Sequence, residues 1–321
     1  MDRGAATTLA RSFAQNVRRV IRGNPRAVEA AATALFAGGH LLIEDVPGVG
    51  KTMLGRAIAR SLRGDFKRIQ ATPDLLPSDV TGASVYNQED RAFQFIPGPL
   101  FAHVVLIDEI NRTTPRTQSA LLEAMDENAV TVDGTRHALP EPLFVVATQN
   151  PVEHHGTYPL PEGQLDRFAI AMGMGYVDIA TEREIVRAQL EEHPIQHLDA
   201  VLTPSDVMGI RDVVRATHVA DPVLDYALRI TQGTRQHPDV ELGASPRASI
   251  GLVRCAQARA LLAGRDFVVP DDVKVLATST LSHRVVLSAS LRLDPAGPAR
   301  VIADVVERTA VPVSGSQTPA T

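Results

Sequence analysis

Lys51 and Thr52 close a loop, Asp45-Val46-Pro47-Gly48-Val49-Gly50, set between the apolar run Leu41-Leu42-Ile43 and a helical pattern over residues 53–62. That order suits an anion. Small residues let successive backbone N–H groups curl into a nest, and a helix start adds the positive end of its dipole. A lysine placed there reaches the β- and γ-phosphates of a triphosphate, and a threonine hydroxyl next to it can ligate Mg²⁺. The loop departs from the pattern G-x-x-x-x-G-K-[ST] at its first position, where Asp45 stands for glycine. Aspartate tolerates left-handed backbone angles better than most residues. The turn is therefore expected to form, with the carboxylate directed away from phosphate. The candidate nucleotide contacts are Asp45, Val46, Pro47, Gly48, Val49, Gly50, Lys51, Thr52 and Met53.

A second set of polar residues ends the other apolar runs. Asp108 and Glu109 follow Val104-Val105-Leu106-Ile107. A carboxylate at the end of a buried strand beside a phosphate loop can share Mg²⁺ with Thr52. The next carboxylate points elsewhere and can polarise a water for attack on the γ-phosphate. A small-molecule kinase would also use the first acid, whereas the Asp-Glu pair favours hydrolysis. Asn150, just past the run 144–147, reaches the same sheet edge and could orient the attacking water or touch the γ-phosphate; a turn-forming Asn-Pro is an equal alternative. Arg167 precedes the last sheet strand. There an arginine could stabilise charge developing on the nucleotide of an adjacent subunit, or Asp166 could simply pair with a basic side chain. Arg247 lies in the first turn of a helix and would aim back at the nucleotide if that helix folds over it. Arg112 either reaches a neighbouring subunit or pairs with Glu109 or Asp108. His154-His155 lack the partners and spacing of a metal centre.

These residues need a scaffold. Short apolar runs without polar alternation at 41–43, 104–107 and 144–147, with weaker ones at 67–70 and 168–172, read as buried parallel strands. Helical patterns alternate with them, the clearest at 115–127. Such alternation predicts an α/β fold with a doubly wound parallel sheet. Two hairpins interrupt it, at 79–94 and at 129–139, the second around Asp133-Gly134. Phe93, Phe95 and Phe101 read as core, and the hairpin tips as the better candidates for contact with a substrate. Helices are expected at 7–21 and 26–37, the latter stopped by Gly38-Gly39. After residue 178 the pattern is wholly helical, at 181–192, 204–216, 222–236, 246–262 and 270–282. Thr203-Pro204, Asp221-Pro222 and Ser245-Pro246 supply caps. The expected division is a nucleotide-binding unit over 1–180, a helical lid over 181–310 and a tail over 311–321.

Composition sets the limits. The chain of 321 residues is 44% hydrophobic and 21% charged, with net charge −5. No global basic field is available for gripping nucleic acid, so stable nucleic-acid binding is not expected. An acid-free, arginine-bearing stretch from Arg3 to Val28 reads as a solvated helix face. No apolar run approaches the ~20 residues a membrane span needs, so no membrane insertion is expected. The single cysteine, Cys255, lies among small apolar residues, reads as a buried thiol and fits a reducing cytoplasm.

The segments Pro47-Gly48-Val49-Gly50-Lys51-Thr52, Asp108-Glu109-Ile110-Asn111-Arg112, Ala147-Thr148-Gln149-Asn150-Pro151, Gly156-Thr157-Tyr158-Pro159-Leu160-Pro161-Glu162 and Leu165-Asp166-Arg167-Phe168 together resemble the MoxR family of AAA+ ATPases. The resemblance spans residues 10–310. It implies an AAA+ P-loop fold with a C-terminal helical lid domain, using ATP and Mg²⁺. Lys51 and Thr52 would be Walker A, Asp108 and Glu109 Walker B, and Asn150 sensor 1. Arg167 would be an arginine finger acting in trans and Arg247 sensor 2. The hairpins would be the helix-2 and pre-sensor-1 inserts. It further implies a ring, a hexamer, and a chaperone-like role in maturing a client protein, with a von Willebrand factor A-domain partner. The alternatives are a nucleic-acid-dependent motor of related architecture and a P-loop kinase.

Overall fold

The computed structural model describes residues 1–46, 48–150, 157–191, 194–291 and 294–312. Helices α1 (Arg3–Val20) and α2 (Pro25–Ala37) precede β1 (His40–Glu44), α3 (Lys51–Ser61) and β2 (Phe66–Gln70). A short α4 (Pro77–Thr81) leads into the hairpin β3 (Gly82–Asn87) and β4 (Ala92–Pro97). Then come β5 (Val104–Asp108), α5 (Pro115–Glu127), the hairpin β6 (Ala129–Val132) and β7 (Thr135–Ala138), β8 (Phe144–Gln149), α6 (Glu162–Leu165) and β9 (Phe168–Met172). The rest comprises α7 (Ile179–Glu191), α8 (Pro204–Arg215), α9 (Asp221–Gln236), β10 (Val240–Leu242), α10 (Pro246–Ala263), α11 (Pro270–Leu281), β11 (Val286–Leu287) and α12 (Gly297–Arg308).

Five strands form one parallel sheet in the order β2-β5-β8-β1-β9. Successive side chains go to opposite faces, and both faces are covered. Leu41, Ile43, Val104, Leu106, Phe144 and Val146 join α1, α2, α3 and the C-terminal helices in one core. Leu42, Val105, Ile107, Val145 and Ala147 join α5 and its surroundings in another. Burial on both faces is why these strands read as continuous apolar runs. The parallel order leaves every strand's carboxyl end at one edge of the sheet, and every amino end at the other.

The expected solvated arginine face is present, with Arg11, Arg18, Arg19 and Arg26 exposed, but it also makes contacts the sequence did not suggest. Arg3 Nη1 donates to Thr217 Oγ1 and to Arg265 O (both 3.3 Å), and Arg11 Nε donates to Leu262 O (2.8 Å). These arginines tie α1 to the C-terminal helices; α2 packs on β1 and β9, α1 packs on α3, and both pack against α8 and α10. Helix α12 and the β10-β11 pair have no counterpart in the sequence-based expectation. Asp221 is also not a cap: Ala220 holds that position, and Asp221 is the first helical residue. Thr203 and Ser245 do cap, accepting from Asp206 N (3.3 Å) and Ala248 N (3.2 Å).

Both hairpins form, and they touch: Phe95 stacks on His137 with ring centroids 3.8 Å apart. Phe101 meets Phe95 edge-on. Phe93 is not core. It is 74% exposed, because β4 turns it outward against Tyr86. Among the described residues no helix is long and apolar enough to cross a membrane. The expected tail falls almost wholly outside them.

Candidate nucleotide cleft and the arginine edge

At the carboxyl edge of the sheet, Gly48 and Gly50 take positive φ (89° and 97°), backbone that a side chain would strain. Gly50 caps α3, so Lys51 and Thr52 begin the helix. Lys51 Nζ donates to Asp45 O (2.8 Å) across the loop. Partial burial pulls the Lys51 pKa below its ordinary value, against the opposing attraction of Asp45, Asp108 and Glu109. The Asp45 carboxylate is held by backbone amides. Its Oδ1 accepts from Val46 N (2.8 Å), and its Oδ2 accepts from Met174 N and Gly175 N (both 2.6 Å) in the chain leaving β9. The aspartate thus fastens the loop to the segment that leads into α7. Gly48, Gly50, Lys51, Thr52 and Met53 line a cleft of about 300 Å³. Asp45, Val46 and Val49 do not line it, and Pro47 lies outside the described residues.

Asp108 and Glu109 form the opposite wall. Register places Asp108 beside Gln70 of β2, and β8 runs on its other side. Arg68 Nε donates to Asp108 Oδ2 at 2.6 Å. Thr148 Oγ1 accepts from Glu109 N (2.9 Å) and can donate onward to Asp108 Oδ1 (3.4 Å). Glu109 adopts φ 58°, an uncommon left-handed angle that swings its carboxylate off the strand direction. Arg112 Nε approaches it at 3.1 Å and Gln70 Nε2 donates to it at 3.3 Å. The local pairing of Arg112 is therefore the one observed. Arg68, Gln70 and Thr148 escaped the sequence reading; strand alternation gives Arg68 and Gln70 one face, but only the neighbour of β2 says what that face meets. Asn150 is buried just past β8, at this edge but off the cleft wall. The Gly-Thr-Tyr-Pro-Leu-Pro-Glu stretch, described from Thr157 onward, straps the acid loop. Tyr158 N donates to Asn111 O (2.6 Å), and Gln118 Nε2 donates to Ile110 O, Thr113 O and Tyr158 O. His154 and His155 lie outside the described residues.

The other two candidates sit elsewhere. Phe168 pairs with His40, and both begin their strands, so Arg167 lies at the amino edge. About 16 Å of strand separates that edge from the phosphate loop, at roughly 3.3 Å per residue. Arg167 Nε lies 3.1 Å from Asp126 Oδ2, an ion pair without hydrogen-bond alignment. Arg247 donates to Oδ1 of the same Asp126. The expectation that Arg247 aims at its own subunit's nucleotide is not met in this arrangement. Helix α10 docks on α2 and α8, and Ser245 Oγ donates to Asp166 Oδ2 (2.7 Å), which seats the start of α10 beside Arg167. Asp166 is also paired with Arg284 Nε (3.3 Å). Arg284 Nη2 and His283 Nε2 both reach Phe168 O (2.7 and 2.8 Å). His40, Asp126, Arg167, Arg211, Arg247 and Arg254 are among the residues lining a cleft of about 550 Å³ here. His40 is buried, and desolvation holds its pKa down at about 4. As the neutral ring it accepts from Val145 N (3.1 Å) and faces Met125 O (3.2 Å). Burial raises the Cys255 thiol to about 12, so it is inert.

Comparison with known proteins agrees with this geometry. A model described as "ATPase family associated with various cellular activities (AAA)" matches residues 40–170, and one described as "AAA lid domain" matches residues 232–308. Chaperone MoxR1 of Mycobacterium tuberculosis is 39% identical over 92% of this chain and 80% of its own. The chain belongs to the MoxR family of AAA+ ATPases. Protein MoxR of Methylorubrum extorquens is 31% identical over 86% of this chain and 87% of its own. YeaC of Bacillus subtilis, an uncharacterised protein, is 49% identical over 94% of each. A crystal structure of a Cytophaga hutchinsonii protein superposes with TM-score 0.89 at 33% identity, covering 97% of both chains. The fold is accordingly AAA+, with the helical lid that the MoxR family carries.

Proposed function

We propose that this MoxR-family protein hydrolyses ATP with Mg²⁺, in a ring whose sites are shared between neighbouring subunits. The observation that carries the reading is the separation of Lys51, Asp108 and Glu109 at one edge of the sheet from Arg167 and Arg247 at the other. Neither arginine lines its own subunit's cleft, so each is available to a neighbour's.

In this reading the amides of the Gly48–Gly50 loop and Lys51 bind the β- and γ-phosphates, supported by the start of α3. Thr52 and Asp108 offer hard oxygen donors of the kind Mg²⁺ takes, and they would hold it. Bound there, Mg²⁺ would neutralise charge on the β- and γ-oxygens. Glu109, turned off the strand, accepts the proton of the attacking water, and Asn150 orients that water. The neighbour's Arg167 and Arg247 stabilise the departing charge; such a guanidinium is worth roughly 10³–10⁵ in turnover. Two arginines fixed by one carboxylate form a preorganised donor pair. The relative named a chaperone supports a chaperone-like role on a protein client. The hairpin tips around residues 87–91 and 134 would meet that client. A hexamer, a von Willebrand factor A-domain partner and a cytoplasmic location complete the reading. Residues 1–180 serve as the nucleotide unit and 181–310 as the lid.

Subunit mixing tests it. Arg167→Ala should bind ATP normally and lose turnover, and adding Glu109→Gln subunits should restore part of it. Rings of the two inactive variants that stay inactive would refute shared sites.

A further inference from the structure

Asp126 is the one carboxylate seen holding both edge arginines, although they arrive from different parts of the chain. Arg167 comes from the entry to β9 and Arg247 from the first turn of α10. They divide its two oxygens between them. The rest of the cleft is strongly cationic: Arg211, Arg215, Arg254 and Arg284 line it, and Asp166 is the other acid on its wall. Asp166 is already engaged by Ser245 and Arg284. Without Asp126 the two guanidiniums would repel each other and the four arginines around them. The trio is also accessible. Asp126 and Arg167 keep 26% of their side-chain surface and Arg247 keeps 51%, so an incoming phosphate can reach both arginines without unfolding anything.

We infer that Asp126 is a positioning residue for the neighbour's reaction: it holds Arg167 and Arg247 together as a two-pronged anion donor. The inference rests on the shared-site reading above. Asp126 itself touches no nucleotide. It acts by setting where the guanidiniums are before the triphosphate of the next subunit arrives, which removes the cost of organising them at the moment of reaction. It also ties the lid to the sheet, so Arg247 cannot drift with the lid while Arg167 stays behind.

The experiment uses the full chain. Asp126→Asn should bind ATP and Mg²⁺ with wild-type affinity and leave KM within about twofold, but lower kcat at least tenfold. Asp126→Glu should recover most of that loss. In an Arg167→Ala/Arg247→Ala background, Asp126→Asn should cost nothing further, because a residue acting through those arginines has no other route. Mixed with Glu109→Gln subunits, Asp126→Asn should regain turnover, since the former lend correctly held arginines to the latter's intact cleft. Should the amide prevent folding, Asp126→Ser serves in its place, with the same readouts. Unchanged or raised kcat, or an added loss in the double-arginine background, overturns the inference. Rescue of Arg167→Ala but not of Asp126→Asn in mixed rings overturns it alone. Rescue of neither overturns the shared-site reading.

Discussion

Arg68 takes one oxygen of Asp108 and Thr148 approaches the other. The carboxylate that would share Mg²⁺ with Thr52 is therefore already occupied by a cation, which a metal must displace. Arg68→Ala should lower the Mg²⁺ concentration needed for half-maximal ATP binding several-fold, as titration of a fluorescent nucleotide would read; a raised requirement would mean that Arg68 assists the metal. Lys51→Ala should weaken nucleotide binding at least tenfold, whereas Glu109→Gln should bind ATP and retain it unhydrolysed, since only the proton acceptor is lost. Filter retention of labelled ATP separates the two. At this scale the sequence named the actors but not their partners. Lys51, Asp108 and Glu109 are legible because local order, loop before helix and acid after strand, fixes their places. Arg68 with Asp108, or Asp126 with Arg247, joins residues distant along the chain, and residue spacing carries no record of such a choice.

Among the elements, β1 and β8 share a buried neutral histidine. His40 pairs with Val145 N in β8 and faces Met125 O near the end of α5. Its pKa of about 4 lies below the ordinary 6.5. Below pH 6.5 the unfolded chain takes up a proton that the native state refuses until about pH 4. Stability is thus complete above pH 6.5, falls through that interval and levels off beneath it, by about 3 kcal/mol for this group alone. His283, depressed to about 3 by desolvation, adds to the same trend. Urea midpoints measured from pH 7.5 to pH 4 should decline, and less steeply in His40→Asn; equal slopes would remove His40 from the account. Strands and most helices were readable because their periods are local. Helix α12 was not read, although Val301, Ile302, Val305 and Val306 mark a buried stripe after Gly297-Pro298. A Ser/Pro-containing approach on one side and tail-like composition on the other disguised it. The short β10-β11 pair is antiparallel between distant segments, so too few residues carried the signal.

For the whole molecule, the lid's placement decides how subunits can cooperate. Arg247 would aim at the nucleotide only if its helix folded over it; the first turn of α10 instead lies at the amino edge, because α10 packs on α2 and α8 and Ser245 and Arg284 grip Asp166. Composition could not show this, since α1 and α2 look like an ordinary leading pair until their packing partners are known. Turnover per subunit should rise with protein concentration and reach a plateau once assembly is complete; a rate independent of dilution would point to a self-sufficient monomer.

Helix α5 gives this arrangement a direction. Its first turns clamp the loop bearing Glu109 through Gln118, and about 12 Å farther on, at 1.5 Å per residue, its last turn presents Asp126. In the proposed shared-site ring, a strut of that length would join one protomer's nucleotide cleft to the arginine pair it extends toward the next. Movement at the first end would then reach the second, so firing would travel around the circle one way, like a rank of dominoes rather than a chorus.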